Sequence, residues 1–279
     1  MVSMNRLDSI RQMQVIRCLV EGNSIRATVR MTGVAKNTIV KLLLEVGAAC
    51  AKRQSEMFRN LTCKRVQCDE IWAFCYAKSK NVTPEIAERV PGAGDIWTWT
   101  ALDADSKLII SWMLGGRDAG TARDFMDDLA SRLASRVQLT TDGHRAYLSA
   151  VEGAFGSEVD YAMLVKIYGT DMAADTRYSP AECIGCQQQA ISGEPNPMHI
   201  STSHVESHNR TMRMSMRRFT RLTNGFSKKM ENHGAMLALY FFYYNFCRVH
   251  STLRVTPCME AGVTDRVWGI DEIVGLISN

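Results

Sequence analysis

The chain has 279 residues, enough for one large domain or for a medium domain with a small one attached. It contains no run of about 18 apolar residues, so we expect no membrane span. The nine cysteines are scattered and odd in number, which favours reduced thiols in a cytoplasmic protein over a disulfide framework.

The net charge of +4 conceals a strong segregation of charge along the chain. Residues 1–65 hold 12 Lys or Arg against 4 Asp or Glu, and residues 201–229 hold 7 against 1. Between them, residues 66–200 hold 11 against 19. Basic blocks suit a polyanion such as DNA. The acidic middle suits divalent cations, although most of its charges are expected to lie on a solvated surface.

The N-terminal segment, residues 8 to about 52, carries apolar residues at helical spacing and predicts three helices. Its short second helix, the turn at Gly33 and the third helix form the layout of a DNA-binding helix-turn-helix. A plain three-helix bundle is the alternative. The side chains expected to face the major groove are Lys36, Asn37 and Thr38, with Lys41 one turn later.

A carboxylate pair lies in the middle of the next predicted element. A basic connector over residues 53–65 leads to a short, mostly buried strand, Arg65–Trp72, which contains Asp69 and Glu70. An ionised carboxylate away from water needs a partner or a metal. Alternation along the strand directs Glu70 to the face opposite Asp69, so we expect Glu70 to accept a structural hydrogen bond.

The following segments predict a mixed sheet. Two strands form a hairpin over residues 97–114, a helix begins at Thr121, and a strand over residues 137–143 contains Asp142. A helix and a fifth strand, near residues 161–167, complete the order. This order matches a mixed five-stranded RNase H-like α/β sheet with flanking helices, in which the first and fourth strands are neighbours. Asp69 and Asp142 would then lie side by side, and residues 168–200 would form an inserted polar loop.

A long basic helix is predicted from Thr202 onwards. Glu206, Asn209 and Arg213 lie at positions i, i+3 and i+7, on one face. A carboxylate at one end and arginines further along can hold a metal and a phosphate backbone together. The alternative is an exposed cationic helix in which Glu206 pairs with an arginine. The further arginines expected to bind DNA are Arg210 and Arg217.

Three motifs carry a family resemblance. They are Cys-Asp-Glu-Ile-Trp at 68–72, Thr-Asp-Gly-His-Arg-Ala-Tyr at 141–147, and Val-Glu-Ser-His-Asn-Arg-x2-Arg at 205–213. Together they resemble the DDE transposases of bacterial insertion sequences, and most closely the insertion-sequence-one type. The segment 244–257 is similar to a C-terminal signature of such enzymes. The resemblance implies that Asp69, Asp142 and Glu206 are the catalytic triad and that Arg213 contacts DNA.

The resemblance also implies a cofactor and partners. The triad would bind two Mg²⁺ or Mn²⁺ ions, since carboxylates suit hard cations. The partners would be double-stranded DNA, at the element ends and at the target, and further copies of the chain in a homo-oligomer associated with the bacterial nucleoid. The expected domains are a helix-turn-helix domain (1–52), the connector (53–65), the RNase H-like catalytic domain (66–260) and a tail (261–279). The 64-residue interval between Asp142 and Glu206 is longer than in many relatives, so the segment 168–200 would be an insertion.

Two other functional classes stay open from the sequence. A catalytically silent helix-turn-helix regulator would bind DNA without metal-dependent cleavage. An RNase H-like nuclease would cut DNA without joining strands. A regulator would not need acidic residues at strand ends together with an arginine-rich helix, and a nuclease would have less reason to carry a helix-turn-helix.

Overall fold

The computed structural model describes residues 6–169, 183–220 and 224–277. Within them, six strands form one mixed sheet: β1 (Arg65–Cys75), β2 (Gly94–Asp103), β3 (Ile109–Gly115), β4 (Val137–Asp142), β5 (Val159–Tyr168) and β6 (Cys183–Ser192). Their order is β3-β2-β1-β4-β5-β6. The first strand pairs antiparallel with β2 and parallel with β4, which confirms that the first and fourth strands are neighbours.

The sheet has one strand more than predicted. The additional strand, β6, lies inside the segment 168–200, which was wrongly predicted to be a loop throughout. Its residues are largely exposed on both faces, so no alternation of apolar and polar residues marks it as a strand. Backbone pairing with β5 forms it instead. Residues 170–182 of the predicted loop lie outside the described residues.

Helices cover both faces of the sheet. The described helices are α1 (Ser9–Val20), α2 (Ile25–Thr32), α3 (Lys36–Met57), α4 (Pro84–Arg89), α5 (Ala119–Arg132), α6 (Ala146–Phe155), α7 (Ser203–Ser215), α8 (Met230–Phe246), α9 (Pro257–Glu260) and α10 (Ile270–Gly275). Ser24 caps α2 by accepting a hydrogen bond from the Ala27 amide, and Gly33 ends it with a φ of 69°. The three N-terminal helices are as predicted. However, α3 continues to Met57, so the first five residues of the predicted connector are helical.

The N-terminal helices share one continuous hydrophobic core with the sheet. Helix α3 lies so close to α8 that a Cβ on Gly47 would come within 2.6 Å of the Ala235 backbone. At the end of this contact, Phe58 and Phe246 stack with their ring centroids 5.7 Å apart. The chain ends also meet, because Arg6 donates to the Ile277 carbonyl. Residues 6–52 and the described part of the tail, 261–277, therefore pack onto the rest of the chain, and the predicted domain boundaries stay a prediction.

Helix α8 is the apolar centre of the helical layer. Its aromatic residues other than Tyr243 are buried, as predicted for core packing. Asn245 fixes the helix to the sheet by accepting from the Ile109 amide and donating to the Ile109 carbonyl, both at 3.0 Å. Among the described residues, no helix combines the length and apolar character needed to cross a lipid bilayer.

Candidate active site

Three carboxylates meet where β1 and β4 part. The pairing between these strands covers only residues 65–67 of β1, and both Asp69 and Glu70 lie beyond it. Asp142 is the last residue of β4. Ligand oxygens of Asp69, Glu70 and Asp142 all lie within 4.8 Å of one another. The register with β2 keeps Asp69 and Glu70 on opposite faces of the sheet, as expected, but the Glu70 carboxylate still reaches the same group, which the sequence did not predict.

Asp69 is held in a fixed orientation by two donors. Its Oδ1 accepts from the Glu70 amide at 2.9 Å, and its Oδ2 accepts from the Asn209 side-chain amide at 2.8 Å. Burial raises the pKa of Asp69 to about 6, and repulsion by Asp142 adds to the effect, whereas the hydrogen bond from Asn209 opposes it. The two hydrogen bonds thus orient Asp69, while its buried position destabilises the ionised carboxylate unless a cation is bound beside it.

Glu70 is the most deeply buried member of the group, with a side chain only 1% exposed. Its Oε1 accepts from Arg117 Nε at 3.2 Å, so the expected structural hydrogen bond is present. Its Oε2 is buried without a hydrogen-bond partner. Burial, followed by repulsion from Asp142 and Asp69, raises the pKa of Glu70 to about 8, and Arg117 opposes this shift.

Arg117 is a site residue that the sequence analysis missed. It lies in the loop between β3 and α5, and its guanidinium also approaches Asp142 Oδ2 at 3.4 Å. The same group lies over the ring of Trp97, 4.8 Å from the centroid. Its partner Glu70 is 47 positions away in sequence. No local spacing pointed to the contact, because it depends on the pairing of three strands.

Helix α7 brings Glu206 to the same place. The side chain of Gln67, on β1, accepts from the amides of His204 and Val205 and so fixes the first turn of α7 beside the strand. Glu206 accepts from Thr202 and from Lys166 of β5, a second site residue that the sequence analysis missed. Glu206 lies outside the close group of three carboxylates, but it lines the same cavity.

This cavity, here called the acidic cleft, has a volume of about 810 Å³. The face of α7 predicted from the i, i+3, i+7 spacing does line it. Arg217 does not belong to that face, because α7 ends at Ser215 and Arg217 begins a separate 3₁₀ turn. Besides the three close carboxylates and Arg117, the lining includes Lys166, Glu206, Asn209, Arg210 and Arg213.

The side chains predicted to read DNA lie on the first turns of α3. Lys36, Asn37 and Lys41 are exposed, and Thr38 is half-buried. Thr38 and Lys41 border a second cavity of about 550 Å³, which Ile277 also lines. Their contact with DNA stays a prediction.

The acidic cleft fits a hard divalent cation. The close group offers only carboxylate oxygens, which Mg²⁺ and Mn²⁺ prefer to nitrogen or sulfur ligands. Two buried oxygens there, Glu70 Oε2 and Asn209 Oδ1, have no hydrogen-bond partner. Buried oxygens of this kind need a proton donor or a cation.

Comparisons with known proteins add structural neighbours. No protein-family model matches the chain, and no curated protein sequence matches it. The chain is similar to the piggyBac transposase in a synaptic complex with hairpin DNA, with a TM-score of 0.41 and 10% identity over 96% of this chain and 70% of that chain. It is also similar to the Mos1 transposase in a paired-end complex with the left transposon end, with a TM-score of 0.22 and 14% identity over 54% of this chain and 57% of that chain. For the Mos1 strand transfer complex, the TM-score is 0.25 and the identity is 11% over 87% of this chain and 78% of that chain. At such TM-scores, the function must be inferred from the chain's own residues.

Proposed function

We propose that this protein is a DDE transposase of the insertion-sequence-one type, which binds element ends and catalyses metal-dependent cleavage and transfer of DNA strands. The observation that carries the proposal is the convergence of Asp69, Asp142 and Glu206 on one cleft from three distant segments. Arginines on the Glu206 helix line the same cleft, which suits a phosphate backbone beside a metal site.

In this proposal, Asp69, Asp142 and Glu206 hold two Mg²⁺ or Mn²⁺ ions. When bound, such ions activate a water or a 3′-hydroxyl and stabilise the leaving oxygen of an in-line displacement. Asn209 orients Asp69, and Gln67 holds α7 so that Glu206 faces the cleft.

In this proposal, the positively charged side chains have two roles, charge balance inside the cleft and DNA binding. Arg117 offsets the mutual repulsion of Glu70 and Asp142 inside the cleft. Arg210 and Arg213 bind the phosphates of the DNA strand that enters it, and Arg217 extends this contact beyond the helix. The first turns of α3, with Lys36, Asn37, Thr38 and Lys41, bind the duplex at the element end. Joining two ends to one target requires at least two copies of the chain.

The decisive test is metal-dependent strand joining. Purified protein is incubated with a labelled duplex carrying the element's terminal sequence, a target plasmid and Mg²⁺ or Mn²⁺. We expect a joined product with the wild type and none with Glu206→Gln, since the amide loses the charge that binds the metal. Glu194→Gln, which changes an exposed glutamate away from the cleft lining, is the matched control and should join normally.

Other outcomes assign other functions. Cleavage without joining would identify a nuclease, and DNA binding without cleavage would identify a silent regulator. Glu70→Gln is tested in parallel, because Glu70 is closer than Glu206 to the two aspartates. Joining that survives in Glu206→Gln but is lost in Glu70→Gln would move the third metal ligand to Glu70.

A further inference from the structure

A band of aromatic rings extends from the acidic cleft along β1 and β2. Trp72 lies directly opposite Trp97 in the strand register, on the sheet face that also carries Glu70. The ring of Phe74 is 5.7 Å from that of Trp72 and 4.7 Å from that of Phe226, measured between centroids. These four rings, Trp72, Phe74, Trp97 and Phe226, are here called the aromatic band.

The fold does not account for the outer rings of this band. Nearer the centre of the sheet, Trp99 is fully buried because it packs against Phe125 and Tyr147. Trp72, Phe74 and Phe226 are half-buried and lie outside the hydrophobic core, and Phe74 contacts the other two rings. Accessible apolar surface gathered in one patch is a feature of binding sites.

Positively charged side chains lie over three of the four rings. Lys78 Nζ lies 5.5 Å from the centroid of Trp72, and Lys228 Nζ lies 3.6 Å from that of Phe226. Arg117, over Trp97, connects the band to the acidic cleft. Cations beside half-buried rings disfavour a purely apolar partner and suit one that has flat aromatic groups on an anionic backbone.

We propose that the aromatic band binds unpaired nucleotides of a DNA strand, with the bases stacked on the rings and the phosphates near Lys78 and Lys228. The idea rests on the proposed function, since the strand would reach the band from the acidic cleft past Arg117. The centroids of neighbouring rings are 5.7 Å apart for Trp72 and Phe74 and 4.7 Å apart for Phe74 and Phe226, whereas nucleotides of a B-form strand rise about 3.4 Å each. The band therefore fits an extended strand with unstacked bases, and a duplex offers it no free base faces.

The test measures binding by fluorescence anisotropy in EDTA. The ligands are a labelled oligothymidylate and a labelled duplex of equal length. In the double variant Trp72→Leu/Phe74→Leu, single-strand affinity should fall by about tenfold or more, because each stacked base contributes substantially. Duplex affinity should change by less than a factor of about two, and Trp72→Phe should keep most of the single-strand affinity. The thermal midpoint of each variant verifies that it is folded.

A matched lysine pair keeps the test decisive if the double variant does not fold. Lys228→Gln should weaken single-strand binding and reduce its salt dependence. Lys229→Gln should change neither, because Lys229 is also exposed but pairs with Glu231 at 3.3 Å. Equal effects of the two substitutions would overturn the proposal.

Two further results would also overturn it. One is unchanged single-strand affinity in a folded double variant. The other is a loss of self-association in that variant with single-strand affinity retained, which would assign the band to a contact between copies of the chain. The assay contains no metal and no joining step, so it is independent of the test of transposition. Single-strand binding that depends on the aromatic band, without strand joining, would refute only the proposed transposase function. Strand joining by a protein that does not bind single strands would refute only the proposed role of the band.

Discussion

The acidic cleft and the contact between α3 and α8 are built on opposite principles. Between the helices, Gly47 allows the backbones to approach closely, and Phe58 stacks on Phe246, so every contact favours the folded state. In the cleft, three carboxylates crowd within 4.8 Å, and burial raises the pKa of both Asp69 and Glu70. Packing explains the residues between the helices. The cleft residues oppose folding, so their presence points to a ligand.

The largest effect should come from removing a cleft carboxylate. Asp142→Asn should lower metal-dependent cleavage and joining by about a thousandfold or more, since a metal ligand contributes several kcal/mol to the transition state. The same substitution should raise the thermal midpoint of the metal-free protein, because it removes a repulsive charge. Assays with end-labelled DNA and thermal unfolding in EDTA measure the two effects.

The control for this substitution is Asp127→Asn, which changes an exposed carboxylate on α5. It should leave both activity and thermal midpoint unchanged. If Asp142→Asn instead lowered stability while leaving the activity intact, the cleft would be a structural feature like the helix contact, and the contrast between the two regions would fail.

The second effect concerns the helix contact. Gly47→Ala should destabilise the protein by about 1–3 kcal/mol, because the new methyl group would lie 2.6 Å from the Ala235 backbone. Gly153→Ala on α6 is the matched control. Beyond the neighbouring backbone of its own helix, no atom of the described residues lies within 4 Å of the added Cβ there, so alanine should stabilise the helix by about 0.5–1 kcal/mol. Denaturant unfolding measures both, and equal changes in the two variants would contradict the close packing of α3 on α8.

The part of the site that was predictable follows from element order. Asp69 and Asp142 could be placed together because a strand, a hairpin and a crossover helix put the first and fourth strands side by side. The i, i+3, i+7 spacing likewise placed Asn209 and Arg213 beside Glu206 on one face of α7. These inferences need only regular geometry within an element and a common strand order.

The rest depended on tertiary packing. Alternation placed Glu70 on the face opposite Asp69, but it could not show that both carboxylates reach one group beyond Gln67, where the pairing with β4 stops. The end of α7 at Ser215 leaves Arg217 outside the helix that carries Glu206. Lys166 could not be found because its partner Glu206 is 40 positions away, on an element of a different kind. Such contacts are set by tertiary packing and leave no periodic signal.

The pH dependence of stability should sharpen the contrast. The raised pKa values of Asp69 and Glu70, about 6 and about 8, mean that the folded protein holds more protons than the unfolded chain between about pH 4 and pH 8. These groups should therefore make the metal-free protein less stable as the pH rises through that window. Mg²⁺ should reverse the loss at pH 8 by binding the folded state.

Buried histidines act in the opposite direction, because the pKa values of His208 and His233 are lowered to about 3. The measurement is therefore the difference between wild type and Asp142→Asn in denaturant unfolding from pH 5 to 8.5 in EDTA. Asp142→Asn should show a weaker loss of stability towards pH 8. Parallel curves for the two proteins would mean that the carboxylates do not repel one another.

The smallest effect should distinguish the first turn of α3 from the rest of the helix. Its middle belongs to the helix contact, whereas Lys36 on its first turn is exposed and, in the proposal, binds DNA like the arginines of the cleft. Lys36→Ala should weaken binding to the element-end duplex a few-fold and reduce the slope of log affinity against log salt by about 1. Lys52→Ala, near the other end of the same helix, removes an equally exposed lysine that lies 4.0 Å from Glu56, and should change neither quantity. Equal salt slopes for the two variants would show that the charge of α3 acts only as a diffuse field, and the first turn would then not be a recognition surface.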